Sequence, residues 1–342
     1  MSRCLQLAKS GAGNVAPNPM VGSVLVYKDK IIGEGYHQQY GEAHAEVNCI
    51  ADVSRENIPF IEKSTLYVSL EPCSHFGKTP PCTDLIIKNK IKKVVIGCKD
   101  VYKEVAGNGI EKLQNAGVEV ITGILENESI SLNKRFFTFH QKFRPFIILK
   151  WAQSSNIKVG SNNSPRILIS NEYSNRLVHK WRSEEAGILV GTNTIIQDNP
   201  SLTTRLWPGK NPVRIIIDKD MKLSQSAKIF NHEAKTIIYN LVRNSNEENV
   251  NYIKIEQEDF LEGLLQSLFE LNILSILIEG GAKTLESFIE RGLWDEARVI
   301  TNEDLIIENG INAPEMKDFN LQNQERYSGD GICYYTRNNE VC

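Results

Sequence analysis

The sequence has no apolar run of about 18 residues and no apolar leader core near Met1, so a membrane-spanning helix and an export signal are not expected and the cytoplasm is the expected compartment. A disulfide framework is not provided for either. The seven cysteines, at 4, 49, 73, 82, 98, 333 and 342, are odd in number and scattered, which argues for reduced thiols. Charge of one sign is missing too: 39 Lys and Arg against 42 Asp and Glu leave a net charge of −3, without the basic field that nucleic-acid binding wants. No G-x-G-x-x-G follows a first strand, so the fingerprint of an ordinary dinucleotide-binding domain is absent. What is present is a globular composition, 41% hydrophobic and 24% charged, in 342 residues, enough for about two domains.

Four residues carry most of the chemistry. His44-Ala45-Glu46 is followed by Pro72-Cys73 and, after eight intervening residues, by Cys82. One imidazole and two thiolates leave one of about four positions on a zinc ion open to water, the arrangement of a catalytic site. Zinc so held lowers the pKa of its water to roughly 7. Glu46, two residues beyond His44, is placed to carry the proton that a departing amine needs. The order H-x-E…P-C…C is that of zinc deaminases, with a longer gap between the cysteines. A purely structural zinc site is the alternative, with His75 as the fourth ligand.

The spacing predicts two α/β halves. In the first, strands over 20–28 and 31–36 flank a turn at Lys28-Asp29-Lys30. A helix over 44–53, a strand over 65–70, a helix over 82–90 and a strand over 94–98 follow. A helix near 109–116, a strand at 118–122 and a long segment over 126–140 complete it. The basic stretch at 140–145, closed by Pro145, reads as the connection, giving expected domains 1–145 and 146–342.

The second half restarts with a strand over 146–154. It continues with a helix from Asn171 to Arg182, strands over 187–191, 213–218 and 236–240, a helix over 258–271, a strand over 275–281 and a helix over 282–291. Glu279-Gly280-Gly281 joins a strand to a helix start, where backbone N–H groups and the helix dipole favour an anion such as a cofactor phosphate. A plain tight turn is the other reading. Residues 191–205, GTNTIIQDNPSLTTR, read as a polar loop.

Several motifs resemble one family. PNPMVG at 17–22, HAE at 44–46, EPCSHFGKTPPC at 71–82 and VAGNG at 105–109 are similar to the bifunctional deaminase/reductases of riboflavin biosynthesis. KWAQS at 150–154, residues 178–205 and ILIEGGAKT at 276–284 extend the resemblance over nearly the whole chain. It implies an N-terminal cytidine-deaminase-like three-layer domain and a C-terminal dihydrofolate-reductase-like domain. The first would hydrolyse the 2-amino group of 2,5-diamino-6-ribosylamino-4(3H)-pyrimidinone 5′-phosphate with zinc, and the second would reduce the ribosyl group to ribityl with NADPH.

By the same resemblance His44, Cys73 and Cys82 would bind zinc, and Glu46 would shuttle protons. Asn18, His75, Lys78 and Thr79 would contact the phosphorylated pyrimidine. In the second half Ala152, Thr194, Asp198, Gly281, Ala282, Lys283, Thr284, Leu285, Glu286 and Ser287 match NADPH positions. Arg182, Leu202, Arg205 and Glu279 match substrate positions, with both arginines facing phosphate. A small-molecule substrate, no nucleic acid, no membrane and a homo-oligomer are the implied partners. The chain departs from the family where Ser154-Ser155-Asn156-Ile157 stands for Ser-x-Asp-Gly, losing a glycine's backbone freedom, and where Ile167 stands for Trp. An impaired or vestigial reductase, and a nucleoside or nucleic-acid zinc deaminase, stay open as alternatives.

Overall fold

The computed structural model describes residues 1–76, 80–102, 105–161, 167–256 and 258–338. The chain divides into two compact units, Met1–Phe143 and Arg144–Cys342. Among the described residues, no helix is long and apolar enough to cross a membrane.

The first unit is built on a five-stranded sheet in the order β2-β1-β3-β4-β5. Its strands are β1 (Gly22–Tyr27), β2 (Lys30–Tyr36), β3 (Thr65–Leu70), β4 (Lys93–Cys98) and β5 (Glu119–Thr122). β1 pairs antiparallel with β2 and β3, and β3, β4 and β5 run parallel. Lys28 and Asp29 take φ of 47° and 61°, the left-handed pair of a two-residue hairpin turn whose twist matches the strands it joins. Among the described residues the α-helices of this unit are α1 (Ser2–Lys9), α2 (Ala45–Ala51), α3 (Cys82–Lys88), α4 (Asn108–Asn115), α5 (Glu126–Leu132) and α6 (Lys134–Lys142).

Glycine lets two of these helices approach closely. A Cβ on Gly22 would lie 2.0 Å from the Cys4 carbonyl oxygen, and one on Gly35 would lie 2.2 Å from the Cys49 amide nitrogen. Gly22 opposes Tyr36 and Ser23 opposes Gly35, so the two glycines point to opposite sheet faces. Helices α1 and α2 therefore form separate layers, with the sheet between them. Leu25, Leu66, Val68, Ile86, Val94, Ile96 and Leu113 are the buried centre of one face.

The second unit holds a ten-stranded sheet, ordered β11-β12-β10-β9-β8-β13-β6-β14-β17-β16. The strands are β6 (Phe146–Ser154), β8 (Gly187–Gly191), β9 (Val213–Ile217), β10 (Thr236–Asn240), β11 (Ser245–Asn246), β12 (Val250–Lys254), β13 (Ser275–Ile278), β14 (Glu296–Asn302), β16 (Phe319–Tyr327) and β17 (Asp330–Arg337), with β7 (Lys158–Ser161) and β15 (Gly310–Asn312) in a separate pair. The run from β12 to β14 is parallel, and β11, β17 and β16 add antiparallel edges. The helices are α7 (Glu172–Glu184), α8 (Thr192–Asp198), α9 (Phe260–Glu270) and α10 (Ala282–Glu290).

Both faces of the parallel strands are covered. Ile147, Leu149, Leu189, Ile215, Ile276 and Ile278 pack with Leu264, Leu265, Leu268, Leu285 and Phe288, whereas the alternate residues Ile148 and Leu277 join Val178 and Trp181. Apolar runs without polar alternation are what such strands require.

Several elements differ from the sequence expectation. Residues 192–198 are helical rather than loop, because Gly191 supplies the extended start and Ile195 anchors the turn in the core. The segment 126–140 is two helices, broken at Asn133, whose φ of −105° is not helical. The helix expected over 44–53 spans Ala45–Ala51, with His44 as its N-terminal cap. The sequence expectation stops at residue 291, and beyond it lie β14 and β17, both partly buried, and β16, which is almost wholly exposed.

Candidate active sites

In the first unit, a helix start and a strand end bring the expected donors together. His44 has extended backbone just before α2, Cys73 follows β3 by three residues, and Cys82 opens α3 after Pro81. His44 Nδ1 lies 3.5 Å from Cys73 Sγ and 3.4 Å from Cys82 Sγ, and the three donor atoms lie within 4.8 Å of one another. A tetrahedral zinc with Zn–N of about 2.0 Å and Zn–S of about 2.3 Å sets nitrogen and sulfur donors about 3.5 Å apart, so this triple fits the ion. The Cys82 N–H donates to Cys73 Sγ (3.3 Å), and the Thr83 N–H and hydroxyl both donate to the Cys73 carbonyl at 3.2 Å. The Thr83 bonds fix the Cys73 backbone, while hydrogen bonds from the Cys82 side chain, His44 and the Cys82 N–H draw the Cys73 thiol pKa down and favour the thiolate.

Glu46 lies in the first turn of α2 and is 3% exposed. Burial pushes its carboxyl pKa up, with the Cys73 thiolate adding to the effect. A carboxyl so placed gains a proton more readily than one in water.

Two residues without a motif support this centre. His37 is 2% exposed, and its ring runs from the Ala43 carbonyl at Nδ1 (3.0 Å) to Asn18 Nδ2 at Nε2 (3.2 Å). Burial lowers its pKa, so the neutral ring carries its proton on Nδ1 and accepts from Asn18. The expected substrate residue Asn18 is thereby linked to the residue preceding His44. Asn133, 3% exposed, pairs its side-chain amide with both backbone groups of Met20, at 2.8 and 2.9 Å, and braces the 17–22 loop. The sequence signal for His37 is no more than a polar residue after a strand end; Asn133 lies 113 residues from its partner.

His75 lies beside Tyr102, ring centroids 6.1 Å apart, and Tyr102 lies 5.1 Å from His140 of α6. Lys78 and Thr79 fall outside the described residues.

In the second unit, β8 and β13 are parallel neighbours and each runs into a helix through glycine. Gly281 takes φ of +59° before α10, and a Cβ on Gly280 would lie 2.7 Å from the Val190 Cα, so a side chain at 280 has no room. Thr194 of α8 and Thr284 of α10 both lie near Gly281, 3.4 and 3.9 Å from an ideal Cβ there. The backbone N–H groups of Ala282 and Lys283 thus begin a nine-residue helix beside the hydroxyl of Thr194, a setting suited to a phosphate. Asp198 closes α8, and Leu285 is turned into the core at 2% exposure. Lys283 is exposed, Ala282, Glu286 and Ser287 are half-buried, and the Ser287 hydroxyl donates to the Lys283 carbonyl. Ala152 is half-buried near the end of the neighbouring strand β6.

Arg182 and Glu279, separately expected at the substrate, face each other. Arg182 Nε and Nη2 donate to the two Glu279 oxygens at 2.7 and 2.8 Å, Nη1 donates to the Thr203 carbonyl at 3.1 Å, and Lys150 Nζ adds a second cation at 3.7 Å. The Glu279 carboxyl is held down at about 2 by Arg182 and Lys150, against the opposing effect of burial. Arg205 is exposed, and Leu202 is buried with φ of +55°. His179, one turn before Arg182, is 1% exposed. Burial first, then Arg182 and Arg205, push its pKa down to about 4, so the ring is neutral.

In the turn after β6, Asn156 bridges Ser154 and Ile307. Its Oδ1 accepts from Ser154 Oγ (2.7 Å) and the Ile307 N–H (3.1 Å), while its Nδ2 donates to the Ile307 carbonyl (3.0 Å). Ile157 takes φ of +60°.

Residues 1–98 match the cytidine and deoxycytidylate deaminase zinc-binding region, and residues 145–302 match the RibD C-terminal domain. The riboflavin biosynthesis protein RibD of Aquifex aeolicus is 42% identical over 301 residues, covering 86% of this chain and 83% of that protein. That of Bacillus amyloliquefaciens is 39% identical over 306 residues, with 86% and 81% covered. A crystal structure of a diaminohydroxyphosphoribosylaminopyrimidine deaminase/5-amino-6-(5-phosphoribosylamino)uracil reductase from Thermotoga maritima is similar at a TM-score of 0.90 and 35% identity, covering 98% of this chain and 97% of that one. A zinc-binding deaminase domain is therefore joined to a reductase domain of the NADPH-using type, and the chain belongs to the RibD family of bifunctional riboflavin biosynthesis proteins.

Proposed function

We propose that the first unit hydrolyses the 2-amino group of 2,5-diamino-6-ribosylamino-4(3H)-pyrimidinone 5′-phosphate and that the second reduces the ribosyl group of the product to ribityl. The observation that carries the first step is the convergence of His44 Nδ1, Cys73 Sγ and Cys82 Sγ within 4.8 Å, with the buried Glu46 two residues beyond His44. Zinc bound there supplies hydroxide at neutral pH. His44, Cys73 and Cys82 hold the ion, and Glu46 accepts a proton at its carboxylate and returns it to the departing ammonia. Asn18, oriented by His37, is the hydrogen-bonding partner for the pyrimidine, and His75, Lys78 and Thr79 are assigned to the ribose phosphate.

In the second unit NADPH supplies the hydride. Thr194 and the helix start at Gly281, Ala282, Lys283 and Thr284 offer N–H and hydroxyl donors to a cofactor phosphate. Ala152, Asp198, Leu285, Glu286 and Ser287 complete the assigned cofactor set. The exposed Arg205 is the cation offered to the substrate phosphate, while Arg182 and Glu279 together form a rigid wall near it. The reading includes a cytoplasmic homo-oligomer that acts on a small molecule and does not bind nucleic acid, supported on the last point by the net charge of −3 and tested by light scattering and by competition with nucleic acid.

The test is E46Q on zinc-quantified protein. Ammonia release should fall at least about 100-fold, the scale of general acid–base catalysis, while zinc content and NADPH oxidation with the deaminated ribosyl intermediate persist. Ammonia release at the parent rate would refute the proton-carrying role.

A further inference from the structure

Glu71 stands two residues before Cys73 and is 4% exposed. Its carboxylate is spent on backbone. Oε2 accepts from the N–H groups of Asp100 (3.2 Å) and Gly107 (3.1 Å), and Oε1 from those of Gly109 (2.9 Å) and Ile110 (3.2 Å). Gly109 and Ile110 belong to the first turn of α4, and Gly107 caps it. The Glu71 N–H donates to the Cys98 carbonyl (3.0 Å), so the same residue is tied to the end of β4. Gly109 also presses on the next residue, since a Cβ there would lie 2.1 Å from the Pro72 carbonyl oxygen and 3.1 Å from Glu71 Oε1.

A carboxylate that gathers four N–H groups fixes its own backbone as firmly as theirs. We propose that Glu71 is a positioning residue for the metal-ligating sulfur of Cys73, clamping the Glu71-Pro72-Cys73 segment to α4 and β4 so that Cys73 Sγ stays in reach of the ion shared with His44 and Cys82. Thr83 holds the Cys73 carbonyl from α3, and Glu71 holds the chain from the opposite end. Neither bond touches the metal; together they define where the sulfur sits. The inference rests on the zinc reading proposed above.

The test uses the full chain loaded with zinc, or with cobalt as a spectroscopic substitute. In E71Q one acceptor oxygen becomes an NH2 group that opposes the N–H donors it faces. G109A is the second variant, because its Cβ would press on the Pro72 carbonyl and crowd Glu71 Oε1 while leaving the carboxylate's charge in place. Both should lose zinc to a chelator at about 10- to 100-fold lower competing concentration, the range for outer partners of metal ligands, and both should shift the cobalt d–d bands. Tryptophan emission should stay unchanged, because Trp151, Trp181, Trp207 and Trp294 all lie in the second unit. Parent affinity and unshifted bands in either variant overturn the role of Glu71. Collapse of the first unit's secondary structure in both makes Glu71 a folding determinant and overturns it as well. A parent chain that holds neither zinc nor cobalt refutes the metal reading itself, a separate outcome.

Discussion

Replacing Glu279 by Gln should weaken the second unit in a pH-dependent way. Glu279 is held at about 2 against an ordinary 4.5 by Arg182 and Lys150. At about 1.4 kcal/mol per pH unit, this gap is worth about 3 kcal/mol at neutral pH. Removing one partner of a buried ion pair costs about 3–5 kcal/mol, so two routes give the same scale. A folded-state pKa below the unfolded value adds stability above about 4.5, and the addition is lost as pH falls towards 2. At pH 3 about half of it or less should remain. Because all four tryptophans belong to Arg144–Cys342, urea unfolding of the whole chain followed by tryptophan fluorescence reads this unit alone. E279Q should trail the parent by about 3 kcal/mol at pH 7, with the gap roughly halved at pH 3. A gap below about 1 kcal/mol that does not change with pH would refute the claim that this pair is a net stabilising element.

I157G should stabilise the second unit by about 0.5–1 kcal/mol, because the left-handed backbone costs a β-branched residue about 1–2 kcal/mol and glycine's extra unfolded freedom cancels part of that. Little burial is lost, since Ile157 is 58% exposed; a lower urea midpoint would contradict the strain. N133A leaves the Met20 N–H and carbonyl without their side-chain partners. It should cost about 2 kcal/mol in the first unit and raise the deaminase KM more than it lowers kcat. An unchanged KM would separate the 17–22 loop from the pyrimidine.

How much was legible depended on whether the physics is local. The zinc triple could be read because coordination demands residue types, and those types stand in short, ordered motifs. The hairpin at Lys28-Asp29 and the parallel strands announced themselves through turn chemistry and apolar runs. Helix α8 was hidden, because Thr, Asn and Asp in residues 192–198 are poor helix formers, and the one buried anchor, Ile195, has no visible period. Strand β16 was hidden for the opposite reason: it holds its place by backbone pairing with β17 while its side chains face solvent. Arg182 and Glu279 were each recognised, yet their mutual pairing was not, because 97 residues separate them and only the fold supplies the encounter. His37 reaches the residue before His44 through the Ala43 carbonyl, and Glu71 bonds only backbone amides through its carboxylate, groups that every residue has and no motif records.

The Asn156 amide ties the turn after β6 to a residue 151 positions further along the chain. It accepts from the Ile307 N–H and donates to the Ile307 carbonyl, a reciprocal lock that an Asp in its place could not close, since an ionised carboxylate has no hydrogen to give. The lock holds the turn in which Ile157 tolerates a backbone conformation natural to glycine. The stability of this turn is therefore shared between two positions 151 residues apart: N156D would strip the Ile307 carbonyl of its donor and leave the left-handed backbone at Ile157 with a looser anchor, whereas N156D combined with I157G would lose the anchor but no longer need it.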